Sequence, residues 1–176
     1  AGEIGHINVY PDGRQCNCGL KGCLETYASV TGIRRTVLEL IAEKGGGASA
    51  LSKLSYEALE GRRISEAALE GDPVAQEAFD FTGRILGIKM ADTAAHLDPE
   101  AFVISGGLSK AGDLLLEPVR QSMESRLFSA YRGRIKVLLS GFSSEEAVLG
   151  PAALAWDSLE ASSNPDTGLL PETDLF

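Results

Sequence analysis

His6, Cys16, Cys18 and Cys23 follow the spacing H-x9-C-x-C-x4-C, and all three cysteines of the chain lie within eight residues. One imidazole and three thiolates make a donor set for zinc, which takes them in a tetrahedron at ~2.0–2.3 Å. Asn17 alone separates the first two thiols, and Gly19 and Gly22 let the loop curl so that Cys23 reaches the same ion. Four protein donors fill the shell and leave no open position for a metal-bound water. The expected role is therefore structural, fixing a loop that has little core of its own. Three ordinary thiols, or a tight Cys16–Cys18 disulfide, are the competing readings.

Two carboxylates flank this pattern. Glu3 lies three residues before His6, and Glu25 two residues after Cys23. An ion that gathers His6 and Cys23 would draw both acids towards one region. Ionised carboxylates beside an imidazole accept hydrogen bonds from sugar hydroxyls. Glu25 also has a plain reading as an acid in the first turn of a helix, where the dipole favours it. Glu3 has one as a surface acid.

The elements that must position these residues read as follows. Ile4 to Tyr10 is β-rich and predicts a strand, closed by the turn signal Pro11-Asp12-Gly13. Apolar residues at Tyr27, Val30, Ile33, Val37 and Ile41 predict an amphipathic helix over about 25–44, ended by Gly45-Gly46-Gly47. Two short helices are expected around Gly61. Asp72-Pro73 then reads as N-cap and first helical residue of a helix that stops near Leu97. Gly83 and Gly87, one turn apart on it, would admit another backbone closely. His96 reads as a C-terminal capping residue of that helix.

Ala101 to Ser105 predicts a short buried-type strand leading into Gly106-Gly107 and a helix over about 110–127. Ile135 to Leu139 predicts a second such strand. Ser143-Ser144-Glu145-Glu146 reads as a capped helix start, with the helix ending near Trp156, which would anchor it. Residues 158–176 read as a polar tail. The order is that of an α/β protein. A strand that ends in glycines and feeds a helix is a common place to hold a phosphate or nucleotide.

Bulk properties narrow the function. The chain has 176 residues, 44% hydrophobic, which is enough for one domain or one lobe with a real core. A net charge of −9 repels a phosphate backbone and argues against nucleic acid as a partner. No apolar run approaches the ~20 residues of a membrane span, and no signal peptide is visible. A cytoplasmic protein is expected. The chain does not begin with Met, so the expectation is that it starts inside a longer gene product.

These residues carry a resemblance. GEIGH followed by C-x-C-G-x2-G-C-L-E resembles the signature of the ROK family (repressors, open reading frames and sugar kinases). DPEAFVISGGLSKAGDLLLEPV resembles the family's adenosine-side segment, and AVLGPAALAW its closing helix. The resemblance covers about 1–157 and is strongest to the bacterial glucokinases of the family. It implies an actin-like ATPase (ribonuclease H-like) fold. This chain would be the C-terminal lobe, with an inserted zinc loop at 6–25 and the tail at 158–176.

The resemblance further implies that Glu3, His6 and Glu25 contact a sugar, that His6, Cys16, Cys18 and Cys23 bind zinc, and that Gly106 and Gly107 lie on the nucleotide side. His6 would serve twice, one ring nitrogen on zinc and the other on a sugar hydroxyl, with metallation fixing its tautomer. The implied reaction is phosphoryl transfer from MgATP to a hexose, glucose before N-acetylmannosamine or fructose. The family's D-x-G-x-T phosphate loop and its Asn-Asp pair, whose Asp is the base, lie upstream of G-E-x-G-H and have no match here. An N-terminal lobe would supply them, and the chain alone is expected to be inactive. A homo-oligomer is expected. The alternatives are a sugar-sensing domain of a ROK repressor, the one setting with a nucleic-acid partner, or a truncated, non-catalytic module.

Overall fold

Asp72 does what its place before a proline predicts. In the computed structural model, which describes residues 2–141, 146 and 148–163, one carboxylate oxygen accepts from the N–H groups of Val74 (3.0 Å) and Ala75 (3.1 Å). The other accepts from Ser49 Oγ (2.7 Å) and the Ala50 N–H (3.1 Å), so the cap also pins the preceding turn. The chain forms two compact units, Ala1–Ser140 and Gly141–Phe176. The first holds helices α1 (Val30–Lys44), α2 (Gly61–Leu69), α3 (Pro73–Leu97) and α4 (Asp113–Arg126) and strands β1 (Ala101–Ile104) and β2 (Lys136–Leu139). The second holds α5 (Leu149–Ser163).

Burial alone would push the Asp72 carboxyl up, but hydrogen bonds from Ser49, Ala75, Ala50 and Val74 outweigh it and hold it below the usual aspartate value. A group lowered in the folded state stabilises fully above its unfolded pKa and loses that contribution as pH falls through the folded value. Asp72→Ala should cost about 1–2 kcal/mol at neutral pH. Urea melts from pH 7 to pH 2 should show the parent and the variant converging at the acid end.

The long helix α3 is the spine. Val74, Ala78, Phe79, Met90 and Ala94 on it are buried, and they meet Ile33 and Val37 of α1, Ile64 of α2 and Leu115 and Val119 of α4 in one core. Gly83 and Gly87 set the α3–α4 approach. A Cβ on Gly83 would lie 2.8 Å from Pro118 Cβ, and one on Gly87 would lie 2.4 Å from the Val119 carbonyl oxygen. Gly87→Ala must therefore prise two helices apart, and it should lower stability by about 1–3 kcal/mol in a denaturant titration. Asp98, at φ 44°, ends α3 in the left-handed region. His96 sits in the last turn with Nδ1 2.7 Å from the Asp92 carbonyl oxygen, in keeping with a helix-end role.

β1 and β2 pair in parallel with Ala101 opposite Lys136 and Ile104 opposite Leu139. α4 is the crossover between them. Only one face of this pair is covered: Val137 is buried, while Val103 is 63% exposed and Leu138 is also exposed. The buried-type reading of both strands was thus half right, because the helices of this unit pack on one side alone.

Four further expectations need correction. Residues Ile4–His6 form a single 3-10 turn, not a strand, and the strand-type pairing described for the segment is one antiparallel bridge, Asn8 with Cys23. The Val9 N–H donates to Gly22 (2.7 Å) and the Leu24 N–H to Ile7 (2.9 Å), so the segment pairs antiparallel with residues 22–24 over this one bridge. The helix expected from 25 begins at Val30, capped by Ser29 accepting from the Gly32 N–H at 3.0 Å. Glu25 belongs to a separate 3-10 turn, Leu24–Thr26. The helix expected from 110 splits into a 3-10 stretch, Gly107–Ala111, and α4, because Gly112 turns at φ 58°. Finally, α5 continues past Trp156 to Ser163, taking six residues of the expected tail. Within α5, Trp156 donates to Glu160 at 2.7 Å. Its expected start at Ser143–Glu145, and 164–176 of the tail, lie outside the described residues. Among the described residues, no helix is long and apolar enough to cross a membrane.

Candidate functional site

Between Arg14 and Glu25 the backbone folds back on itself. Gln15 bridges Lys21, the Cys16 N–H donates to Leu20 (2.9 Å) and the Gly22 N–H to Arg14 (2.8 Å). Gly22 sits at φ 70° with its Cα hydrogen against the chain at Tyr10, where a Cβ would fall 1.6 Å from the carbonyl oxygen. Leu24, Tyr27 and Ile85 form a small buried cluster beneath, with Ile7, Val9 and Phe81 packed on it.

This loop brings all four expected ligands together. The donor atoms of His6, Cys16, Cys18 and Cys23 lie within 4.8 Å of one another. The Cys18 and Cys23 sulfurs are 3.6 Å apart, and Cys16 Sγ is 3.8 Å from His6 Nδ1. A zinc tetrahedron with bonds of ~2.0–2.3 Å has ligand–ligand edges of about 3.5–3.8 Å. All three cysteines are free, at a spacing far beyond the ~2.05 Å of a disulfide. Cys23 is 1% exposed. Burial, then the thiols of Cys18 and Cys16, push it up to about 12. Cys18 is lowered instead, first by the Leu20 N–H and then by the Cys16 thiol. The residues suit a zinc ion in donor type and number, and the 3.6 and 3.8 Å separations match a tetrahedron's edges, within a donor spread that reaches 4.8 Å.

Glu25 joins the cluster. Its Oε2 lies 3.7 Å from His6 Nδ1 and 3.9 Å from Cys16 Sγ, and its side chain is 56% exposed. It also lines a small open cavity with Asn17, Ser29, Thr31 and Arg35. Its reading as a first-turn acid of the long helix falls away, since that helix starts five residues later. Glu3 is different. Its carbonyl accepts from the His6 N–H at 3.0 Å, but the residue lines a neighbouring groove with Ile4, Ile7, Lys89 and His96. His6, the cysteines and Glu25 are thus one cluster, with Glu3 beside it.

Gly106 and Gly107 close the end of β1. Gly106 has φ 97° and open space where a Cβ would stand. A Cβ on Gly107 would lie 3.0 Å from Val30 Cγ2, which puts the pair against the head of α1. The same helix head thus follows the Glu25 turn and backs the glycine turn.

Arg14 is the residue that no spacing marked. Its side chain is only 10% exposed. Nη1 donates to the carbonyls of Thr26 (2.7 Å) and Gly32 (3.1 Å), and Nη2 to Thr36 Oγ1 (2.9 Å). Nε and Nη2 form a two-pronged pair with Glu39. The guanidinium lies 4.5 Å from the Tyr27 ring centre, and the Arg14 N–H donates to the Tyr27 hydroxyl at 2.9 Å. A Gly-Arg after a turn looks like a solvated cation in sequence. Its partners are 12 to 25 residues away.

Comparison with known proteins gives consistent matches. A family model described as "ROK family" matches residues 1–158. A glucokinase of Halalkalibacterium halodurans is 38% identical over 151 residues, 85% of this chain and 46% of that protein. The DNA-binding transcriptional dual regulator NagC of Escherichia coli K12 is 32% identical over 84% of this chain and 35% of its own. The crystal structure of a ROK family glucokinase from Streptomyces griseus, in complex with glucose and AMPPNP, superposes with a TM-score of 0.78. It is 38% identical over 89% of this chain and 52% of that one. The chain spans about half the length of the glucokinases it matches.

Proposed function

This chain belongs to the ROK family, and on that premise we propose that it is part of an ATP-dependent hexose kinase with glucose as the first candidate substrate. In this reading residues 1–157 are its C-terminal lobe. The observation that carries the reading is the convergence of Glu25 and His6 on three thiols at the edge of an open cavity. Bound zinc would hold the loop 6–25 in one shape. His6 turns Nδ1 to the thiols, which leaves Nε2 for a sugar hydroxyl. The half-exposed Glu25 carboxylate accepts from a second hydroxyl, and Glu3 closes the same wall from its neighbouring groove. Gly106 and Gly107 let backbone approach the adenosine side of MgATP.

Phosphoryl transfer of this type is positioning plus charge stabilisation, with a base that takes the hydroxyl proton. No residue of this cluster is assigned that base. The chain orients the sugar, and the base and phosphate contacts come from an N-terminal lobe. The chain alone should bind glucose and a non-hydrolysable ATP analogue with Mg2+ in calorimetry, yet form no phosphorylated glucose in a coupled assay. Turnover by the chain alone would refute the division of labour.

The likeness to NagC supports a second reading, a sugar sensor in a transcriptional regulator. Heat for a hexose or an N-acetylated hexose without heat for nucleotide would select it. Heat for neither ligand would sink both.

A further inference from the structure

We propose that Arg14 is a positioning residue for Glu25, holding the turn that aims its carboxylate at the sugar; this rests on the hexose-binding reading above. Glu25 rides on the 3-10 turn Leu24–Thr26, and its carboxylate has a half-exposed setting, within 4 Å of His6 Nδ1 and Cys16 Sγ among the described residues. Its direction is therefore set by the backbone beneath it. That backbone is fixed on one side by Cys23, a cluster ligand, whose carbonyl accepts from the Thr26 N–H (2.9 Å) and the Thr26 hydroxyl (2.8 Å). On the other side the fastener is Arg14, whose Nη1 donates to the Thr26 carbonyl at 2.7 Å.

The same guanidinium grips the Gly32 carbonyl, Thr36 and Glu39 of α1. It thereby ties the Glu25 turn to a rigid helix and not to a mobile loop. The planar fork matters here. Arg14 makes five bonds to four groups at fixed angles, which a lysine ammonium cannot reproduce. Stacking on Tyr27, the residue directly after the turn, fixes the plane. Removing such a supporting contact from a binding group costs roughly 10–100-fold in function.

The test is a double-mutant cycle on this chain, read by calorimetric glucose titration with metal content measured beside it. Arg14→Met and Arg14→Lys should each weaken glucose binding by roughly 10–100-fold while metal content stays unchanged. In a Glu25→Gln background the Arg14 change should add less than about twofold, because the carboxylate it aims is already gone. Amide exchange at Thr26, Tyr27 and Ala28 should accelerate in both Arg14 variants. Additive losses in the cycle, unchanged exchange, or joint loss of metal and sugar would each overturn the assignment. If the parent chain gives no glucose heat, the hexose reading fails, and the exchange measurement still decides whether Arg14 holds the turn. Arg14→Lys keeps the cation, so it serves for both readings should Arg14→Met fold poorly.

Discussion

Gly22→Ala should open the cysteine loop. The residue sits at φ 70°, where a Cβ costs roughly 1–2 kcal/mol in any L-residue. The larger cost is steric, since that Cβ would lie 1.6 Å from the Tyr10 carbonyl oxygen and 3.1 Å from Asn8 Nδ2. The neighbour is backbone, so no side chain can swing away. Gly22 also spends both of its polar groups there, donating to Arg14 at 2.8 Å and accepting from Val9 at 2.7 Å. The segment around Tyr10 must move off, and with it the bridge between Asn8 and Cys23 that holds the His6 segment against the loop. A loss above about 3 kcal/mol is expected. A drop in metal affinity should accompany it, read by competition with a chromophoric chelator. Gly19→Ala is the control: φ is 93° there too, but nothing lies within 4 Å of the added carbon. It should cost only the backbone strain.

Cys23→Ser should abolish metal retention. Cys23 is the buried thiol at the point where the loop meets the Glu25 turn, and its burial rules out a water substituting for it cheaply. Structural zinc sites contribute on the order of 10 kcal/mol to folding, so losing one of four donors should leave the loop unfolded at ordinary zinc levels. Metal analysis after dialysis should fall from about one zinc per chain to a trace, and the melting temperature should drop with it. The thiol's raised pKa gives a second readout. Without metal it is protonated at neutral pH, so zinc uptake by the parent chain must release a proton, and that proton should be missing from Cys23→Ser.

Short-range signals in the sequence carried well into the structure. Asp72-Pro73 caps α3 and the cysteine spacing brings its four donors together, because the first depends on neighbours two or three residues apart and the second on a loop closed by its own glycines; Gly83 and Gly87 were legible as a place of close approach, though not which helix they admit. What failed depended on distant partners. Ile4 to Tyr10 has strand composition, yet among the described residues it pairs only through the short antiparallel bridge with residues 22–24. The covered face of β1 and β2 could not be read from apolar runs alone, since such runs look alike whether one or both faces are packed. Glu25 was found by spacing, but its separate turn was not. Tyr27 completes the helical periodicity without belonging to the helix. Arg14 was invisible because every side-chain partner lies beyond the reach of local pattern.

In the proposed reading a zinc-held loop forms the sugar-binding wall of this chain. Glucose titration of the zinc-loaded chain, of the same chain stripped with a chelator, and of the stripped chain after zinc is restored tests it most directly. Binding in the first state, at least a tenfold loss in the second and recovery in the third is the predicted result. Equal glucose affinity with and without the metal would contradict it.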